Sequence, residues 1–415
     1  MSGRRVEVVL GLGFGDEGKG ATVDWLARRA RSAPLIIRWN GGPQAAHHVV
    51  TSDGRTHCFA QLGAGMFVDG ARTHLGPEMA IDPFALVAEA RAIAEVGVAD
   101  ALRSVTIDPR AILVTPWHAI VNQVRELARG GERHGTTGRG VAEAKLGAIA
   151  VRAGAIGDGL RAAIEPLRAA LIAKAEQLAG DSEPARALAA RAHRGDLTAA
   201  FFDATLAMRD ARVTAEVPAA DHVILEAAQG ALLDRDHGFF PHVTPSRITR
   251  AAAEDALGAM AIAPAALEVW GVLRAVHTRH GEGPLPSEDA ALTAALPEAH
   301  NPDDGWAGRF RVGWFDAVLA RYALGVAGPI DRLAITCLDR VSSVEGPAIV
   351  DAWQHGAVRI ADLGTVPASE RTRIAFAATP ERRAVDDIGA AIAQAMGRRI
   401  ELAAWGMTAA DRTPG

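Results

Sequence analysis

The chain has 415 residues, 49 % of them apolar and 22 % charged, with a formal net charge of −5. That is enough apolar matter for two or three domains or one large α/β unit, and the acidic balance argues against a nucleic-acid partner. Two cysteines, Cys58 and Cys337, supply neither a disulfide framework nor a metal-ligand spacing. No run of about 18 apolar residues is free of charge, and the apolar run behind Arg4-Arg5 is too short for a signal peptide. No membrane partner is therefore expected, and the expected location is cytoplasmic.

In chain order, Val6-Glu7-Val8-Val9-Leu10 reads as a short β-branched strand ending in glycine. Gly13-Phe14-Gly15-Asp16-Glu17-Gly18-Lys19-Gly20 follows, and residues 21–29 carry Val23, Leu26 and Ala27 at helical spacing. Leu35-Ile36-Ile37-Arg38-Trp39 is a second strand, broken by Asn40-Gly41-Gly42-Pro43. Val49-Val50-Thr51 and a run from Thr56 flank a Ser52-Asp53-Gly54 turn. Asp82-Pro83 opens a helix expected to reach about Val96 and stop at Gly97. A strand over 111–115 and a helix over 118–129 precede a polar, glycine-rich loop at 130–140. From about 160 to 216 the chain has helical periodicity without a heptad, the pattern of an amphipathic scaffold. Val223-Ile224-Leu225 and residues 267–273 are further strands, 277–284 reads as a loop, and Leu333-Ala334-Ile335-Thr336 as the last core strand.

This alternation predicts an α/β fold: a large, mainly parallel sheet with helices on both faces, of the phosphate-loop NTPase kind. The chain is expected to form one catalytic unit over 1–415. Its α/β core spans 1–105 and 217–415, around a mostly helical insertion at about 106–216.

Strand, glycine-rich turn and helix form the context in which backbone N–H groups and a helix N-terminus hold phosphate. That assigns Gly15, Glu17, Gly18, Lys19 and Gly20 to nucleotide phosphates. The spacing Gly13-x4-Gly18-Lys19 fits a phosphate loop, but Gly20 stands where a Mg²⁺-binding hydroxyl is usual. Asp16 is the candidate ligand in its place, because a carboxylate among phosphates needs a cation between them. The chain has only three lysines, Lys19, Lys145 and Lys174, among 44 Lys and Arg. A lysine in the loop is thus a chemical choice rather than a compositional accident.

Several segments together resemble the adenylosuccinate synthetase family. They are residues 15–20, Gly41-Gly42-x-x-Ala45-x-His47, Gly135-Thr136-Thr137-Gly138-Arg139-Gly140, and residues 228–238 with Pro241-x-Val243-Thr244. Thr278-Arg279-x-Gly281-x-Gly283-Pro284 and Gly313-Trp314-Phe315-Asp316 complete the set, in family order, between about 6 and 340. The resemblance implies a carbon–nitrogen ligase that uses GTP to phosphorylate the 6-oxygen of IMP and then lets L-aspartate displace the phosphate. It implies Asp16 as the base for the purine N1 proton, His47 as the acid at the transferring phosphoryl group, and Lys19 as the charge that steadies it. Gln44, Thr137, Gln229 and Thr244 would hold IMP. Arg309 and Arg311 resemble the segment for the aspartate carboxylates, with Arg309 also on IMP. Arg152 resembles an arginine that reaches into a partner subunit's IMP site in a homodimer. Asp339 would read guanine, and Mg²⁺ would take Asp16 and the carbonyl of Ala46.

The departures concern specificity. Gln44 stands for asparagine, Ala46 for glycine, and Thr336-Cys337-Leu338-Asp339 for Thr-Lys-x-Asp. Met407-Thr408-Ala409-Ala410-Asp411-Arg412 replaces Ser-x-Gly-Pro-Asp-Arg. They leave open a paralogue acting on another purine-like nucleotide, with ATP as donor, and a nucleotide-binding regulator without turnover. A bacteriophage branch that aminates dGMP typically lacks the base aspartate, whereas Asp16 is present here.

Overall fold

A computed structural model describes residues 4–298 and 305–415. Met1 to Gly3, part of the N-terminal stretch read above for a signal peptide, and 299–304, ahead of the arginine segment, lie outside the described residues. β1 (Arg5–Gly11) leads through the glycine loop into α1 (Lys19–Arg28). Next come β2 (Leu35–Arg38), a hairpin of β3 (His47–Val50) and β4 (Thr56–Phe59), β5 (Arg72–Leu75), β6 (Ala80–Ile81) and α2 (Pro83–Glu95). β7 (Val105–Ile107) and β8 (Ile112–Leu113) open a helical stretch: α3 (Pro116–Ala128), α4 (Val141–Leu146), α5 (Leu160–Ala179), α6 (Glu183–Ala190) and α7 (Gly195–Ala207). β9 (Arg212–Val213) closes it. Then follow β10 (His222–Gly230), α8 (Arg250–Ala259), β11 (Ala266–Arg274), β12 (Val276–His280), α9 (Ala290–Ala295) and β13 (Phe310–Asp316). α10 (Ala317–Ala327), β14 (Arg332–Thr336), α11 (Leu338–Ser342), β15 (Ala348–His355), β16 (Val358–Ile360) and α12 (Ala368–Ala377) come next. β17 (Thr379–Ala384), α13 (Ile388–Met396), β18 (Leu402–Ala404) and β19 (Arg412–Pro414) end the chain.

Ten strands form one sheet in the order β19-β18-β14-β11-β1-β10-β2-β5-β7-β9, parallel throughout except for β19. β1 lies near its middle and is apolar on both sides, as a strand covered on two faces must be. Val6, Val8 and Leu10 join one buried cluster with Leu35, Ile37 and Leu225. Val9 points the other way, into a second cluster with Ile36, Ile224 and Val272. The expected two-faced α/β sheet is what the chain builds.

Helix starts follow their caps. Asp82 accepts from the N–H groups of Phe84 (2.9 Å) and Ala85 (3.3 Å), with Pro83 at the first helical position. Thr115 and His118 form a reciprocal cap ahead of α3.

Three local readings change. The strand expected at 111–115 shrinks to the two residues of β8, which pair with β6 and bridge Arg152. Residues 276–280, read as loop, are a strand, because β13 supplies an antiparallel partner from a distant part of the chain. Thr336 does not end the last core strand: β18 and β19 lie outboard of β14, and β12, β13, β15, β16 and β17 form a second sheet. Residues 106–216 are mostly helical, yet the stretch starts within β7 and ends with β9, which complete one edge of the main sheet.

Candidate active site

Five neighbouring strands, β14, β11, β1, β10 and β2, present their carboxyl ends side by side, where open parallel sheets bind ligands. β1 contributes the glycine loop, in which Gly15, Asp16 and Gly18 have φ of 97°, 59° and 87°. Gly18 precedes α1 and no side chain caps that helix, so its first N–H groups face the loop as an anion site. The Glu17 carboxylate turns inward and accepts from the N–H groups of Gly13 and Gly15, both at 2.9 Å. It also pairs with Lys19 Nζ at 2.6 Å, both side chains being buried. Glu17 therefore shapes the loop with its side chain, and Lys19 is held in place beneath it.

The carbonyl of Glu17 accepts from Thr336 Oγ1 at 2.7 Å, and that of Asp16 from Arg274 Nη1 at 3.3 Å. β14 and β11 thereby grip the loop from one side. Burial raises the Asp16 carboxyl above its ordinary range, with Arg274 and Lys19 pulling it back. A carboxylate with raised proton affinity is a stronger base.

On the other side, Gly20 lies so close to His47 that an added Cβ would sit 2.6 Å from the histidine Cβ. The glycine loop and the segment from Gln44 to His47 are therefore packed against each other, and Asp16 and His47 both lie within the field of Lys19. His47 is the first residue of β3 and is buried rather than a loop residue at the surface. Its Nδ1 contacts Glu226 Oε1 in a short hydrogen bond, while Nε2 is buried without a partner among the described residues. Glu226 also accepts from Ala64 N at 2.9 Å and lies 3.8 Å from Arg38. Burial pushes Glu226 up, but Arg38 and His47 outweigh it and keep the carboxylate charged. An ionised carboxylate only accepts, so Nδ1 carries the hydrogen and Nε2 keeps a free lone pair. Burial holds the imidazole below its ordinary value against the pull of Glu226.

Asn40, at the end of β2, donates to Arg247 O and accepts from Ala228 N, both at 3.0 Å. This draws together the loop carrying Gln44, the end of β10 carrying Gln229, and the segment carrying Thr244. Gln44 Oε1 and Thr244 Oγ1 are buried and have no partner among the described residues. Buried polar atoms left unpaired are costly, and a ligand is the usual remedy. The loop with Thr137 joins through Gly135, which packs on Glu282, and Gly138, which packs on Trp306. Thr137 itself is exposed at that rim.

The remaining predicted residues are placed differently. Arg309 pairs with Glu288 at 3.0 Å and is 67 % exposed. Arg311 is largely enclosed and spends its donors on Glu288 (2.9 Å), Gly281 O (2.6 Å) and Gly283 O (2.8 Å). Asp339 sits in the first turn of α11, behind Cys337, which adopts φ 61°. Ala46 is exposed one residue before His47. Arg152 donates to Arg110 O and pairs through its backbone with Ile112, away from the glycine loop. Glu226, Arg274 and Asn40 were not singled out from sequence. A glutamate inside the apolar run Val223 to Ala228 was the available signal, since an unpaired charge is rarely buried there.

A phosphate loop at the switch region of a parallel sheet, carrying a carboxyl of raised proton affinity and packed against a carboxylate-backed imidazole, defines a nucleotide-dependent group-transfer enzyme. The sequence profile described as adenylosuccinate synthetase matches residues 8–379. Curated adenylosuccinate synthetases from Mycobacterium leprae and Chlorobium chlorochromatii are each 32 % identical, over 86 % of this chain and 82 % of theirs. The chain belongs to the adenylosuccinate synthetase family, whose members are carbon–nitrogen ligases. A solved structure of fully ligated adenylosuccinate synthetase from Plasmodium falciparum shares the fold, with a TM-score of 0.78 at 21 % identity over 99 % of both chains. A cyanophage S-2L succinoaminodeoxyadenylate synthetase bound to dGMP and dATP matches with a TM-score of 0.58 at 18 % identity, over 99 % of this chain and 95 % of that one.

Proposed function

We propose that this chain joins L-aspartate to IMP at the expense of GTP, giving adenylosuccinate, GDP and phosphate. The observation that carries this reading is the packing of the His47 segment on the phosphate loop at Gly20, with Asp16 in that loop and the Nε2 of His47 lacking a partner among the described residues. In the first step the Asp16 carboxylate takes the N1 proton of IMP. The 6-oxygen then attacks the γ-phosphorus, the bond to the β–γ bridging oxygen breaks, and GDP leaves. His47 takes a proton at Nε2 as phosphate charge approaches, Glu226 steadies the imidazolium, and its N–H then donates to the transferring group. In the second step the aspartate amine attacks C6, the C6–oxygen bond breaks so that phosphate departs with the electron pair, and the amine's proton passes to that phosphate.

Gln44, Gln229 and Thr244 form the acceptor wall with Thr137 at its rim. Arg309 and Arg311 would meet the aspartate carboxylates in place of Glu288, and Asp339 would accept from a guanine edge. The donor set also fits Mg²⁺. Among the described residues no three His, Cys, Asp or Glu side chains form a metal cluster. Asp16 and the Ala46 carbonyl would thus share a cation whose shell is completed by phosphate and water, as is common for Mg²⁺. Bound there, the ion offsets phosphate charge.

A cytoplasmic homodimer is part of the proposal. Leu146 (68 % exposed) and Ile149 lie on the surface close in sequence to Arg152, an apolar strip of the sort a second subunit covers. No helix among the described residues is long and apolar enough to cross a membrane.

Gln44 and Cys337 favour one alternative, a different purine-like acceptor or ATP as donor. A panel of 6-oxopurine nucleotides with aspartate, Mg²⁺ and GTP or ATP separates the readings. Succinylated IMP formed with GTP is the expected product by mass, and product only from another acceptor would replace IMP. Chelation with EDTA should stop turnover and leave the thermal melt in place, because no protein-only metal cage holds the fold. A collapse of the melt would relocate the metal to a structural site.

A further inference from the structure

A cavity of about 440 Å³ opens at the edge of the main sheet opposite the phosphate loop. Four neighbouring strands reach it with their amino ends, at Arg5 of β1, His222 of β10, Glu268 and Trp270 of β11, and Arg332 of β14. The last turn of α1 supplies a further wall with Trp25, and Arg29 and Arg31 follow it. The phosphate loop leaves the other end of β1, so the length of that strand separates this cavity from the candidate active site.

Five arginines line the cavity against three glutamates, and each of those carboxylates is already engaged within the chain. Glu7 is buried and takes Arg5 at 2.7 Å, His222, and the indole N–H of Trp270 at 3.3 Å. Glu268 takes Arg332 at 2.7 Å and Arg5 at 3.2 Å, and Glu401 accepts from Leu333 N at 2.7 Å. Arg29 and Arg31 are exposed and reach no carboxylate among the described residues; Arg29 lies over the Trp25 ring at 4.4 Å. Arg399 donates to Gly415 O. A guanidinium keeps its charge at any ordinary pH, so three of the five cations are left without a side-chain counter-charge. Guanidinium forks match carboxylate and phosphate oxygens two at a time. The cavity volume also falls in the range that small-molecule sites occupy.

We propose that this cavity binds a compact, multiply charged anion, a polycarboxylate or a phosphate monoester, at a site separate from the candidate active site. The test titrates citrate and, separately, ribose 5-phosphate into the full chain with IMP and GDP in excess. Calorimetry reads the affinity, and amide hydrogen exchange reads the place. At least one probe should bind the wild type and slow exchange over residues 25–31. The double variant Arg29→Gln, Arg31→Gln should bind it at least ~10-fold more weakly, the scale of a lost charge-assisted hydrogen bond. Arg31→Gln alone, which removes no hydrogen bond or ion pair among the described residues, should weaken it in the same direction and carries the comparison if the double variant unfolds. Arg91→Gln, Arg103→Gln takes the same charge from exposed positions on α2 and just before β7, and should bind as the wild type does. Binding of one probe alone would support the site and fix its anion class. Absence of binding by both probes at millimolar concentration would overturn the proposal. So would equal affinity in the Arg29 and Arg31 variants, an equal loss in the control pair, or slowed exchange confined to the phosphate loop.

Discussion

Asp16 holds a left-handed backbone conformation (φ 59°) in which aspartate and asparagine are among the better-tolerated non-glycine residues. Asp16→Asn therefore changes the chemistry with little change in the loop. Turnover should fall to background while GTP affinity, measured by direct titration, stays within a few-fold. Near-normal rates would remove Asp16 from the reaction. His47→Asn should lower kcat by at least ~10²-fold, the scale of general acid–base catalysis. An unchanged kcat would leave the histidine with packing alone. The glycine-rich loop pointed to Asp16, whereas His47 was reached through the family resemblance. Neither pointed to Glu226, which lies 179 positions from His47 and meets it only because β10 runs between β1 and β2.

Elements meet at the cleft with no room to spare, and glycine is what lets them. A Cβ at Gly230, the end of β10, would lie 2.0 Å from Glu17 Oε1 and 2.2 Å from Gly13 O. Gly230→Ala must push the phosphate loop off its seat, costing about 1–3 kcal/mol in stability and weakening donor nucleotide binding. An unchanged urea midpoint together with unchanged affinity would contradict that packing. Gly325, in α10, has nothing within 4 Å of its would-be Cβ, so Gly325→Ala should raise stability by about 0.5–1 kcal/mol in the same melt. Helix ends were legible wherever a local cap declared them, as at Asp82-Pro83 and Gly97. β12 was not, because a strand of Val, His, Thr, Arg and His reads as loop until β13 pairs with it.

Across the whole molecule, His74, His118 and His277 are buried, and burial holds each near pH 4 instead of 6.5. The unfolded chain takes up protons on these rings below about 6.5, and the folded chain resists until about 4, so stability falls as pH drops through that window. Each ring accounts for at most about 3 kcal/mol. Asp316, pushed up to about 7 by burial, acts in the opposite sense between its ordinary value and 7. His47 acts with the three histidines and Asp16, Asp24 and Asp82 with Asp316, while charge-paired carboxylates such as Glu298, Glu226 and Glu143, held low by their partners despite burial, carry the balance to a net loss. The urea midpoint should be clearly lower at pH 5 than at pH 7.5. A midpoint that holds or rises toward pH 5 would mean that the rings are solvated or paired in the folded state.

From its sequence alone this protein declares a parallel α/β sheet, a phosphate loop and its family, since β-branched runs, helix caps and positive-φ glycines act over a few residues. The tertiary structure alone decides that Glu226 backs His47, that Arg274 and Thr336 clamp the loop, and that a second sheet exists. Each of these depends on strand order and on contacts between distant segments. Such contacts leave no periodic trace in the sequence, because their geometry is set by which strands become neighbours once both faces of the sheet are buried.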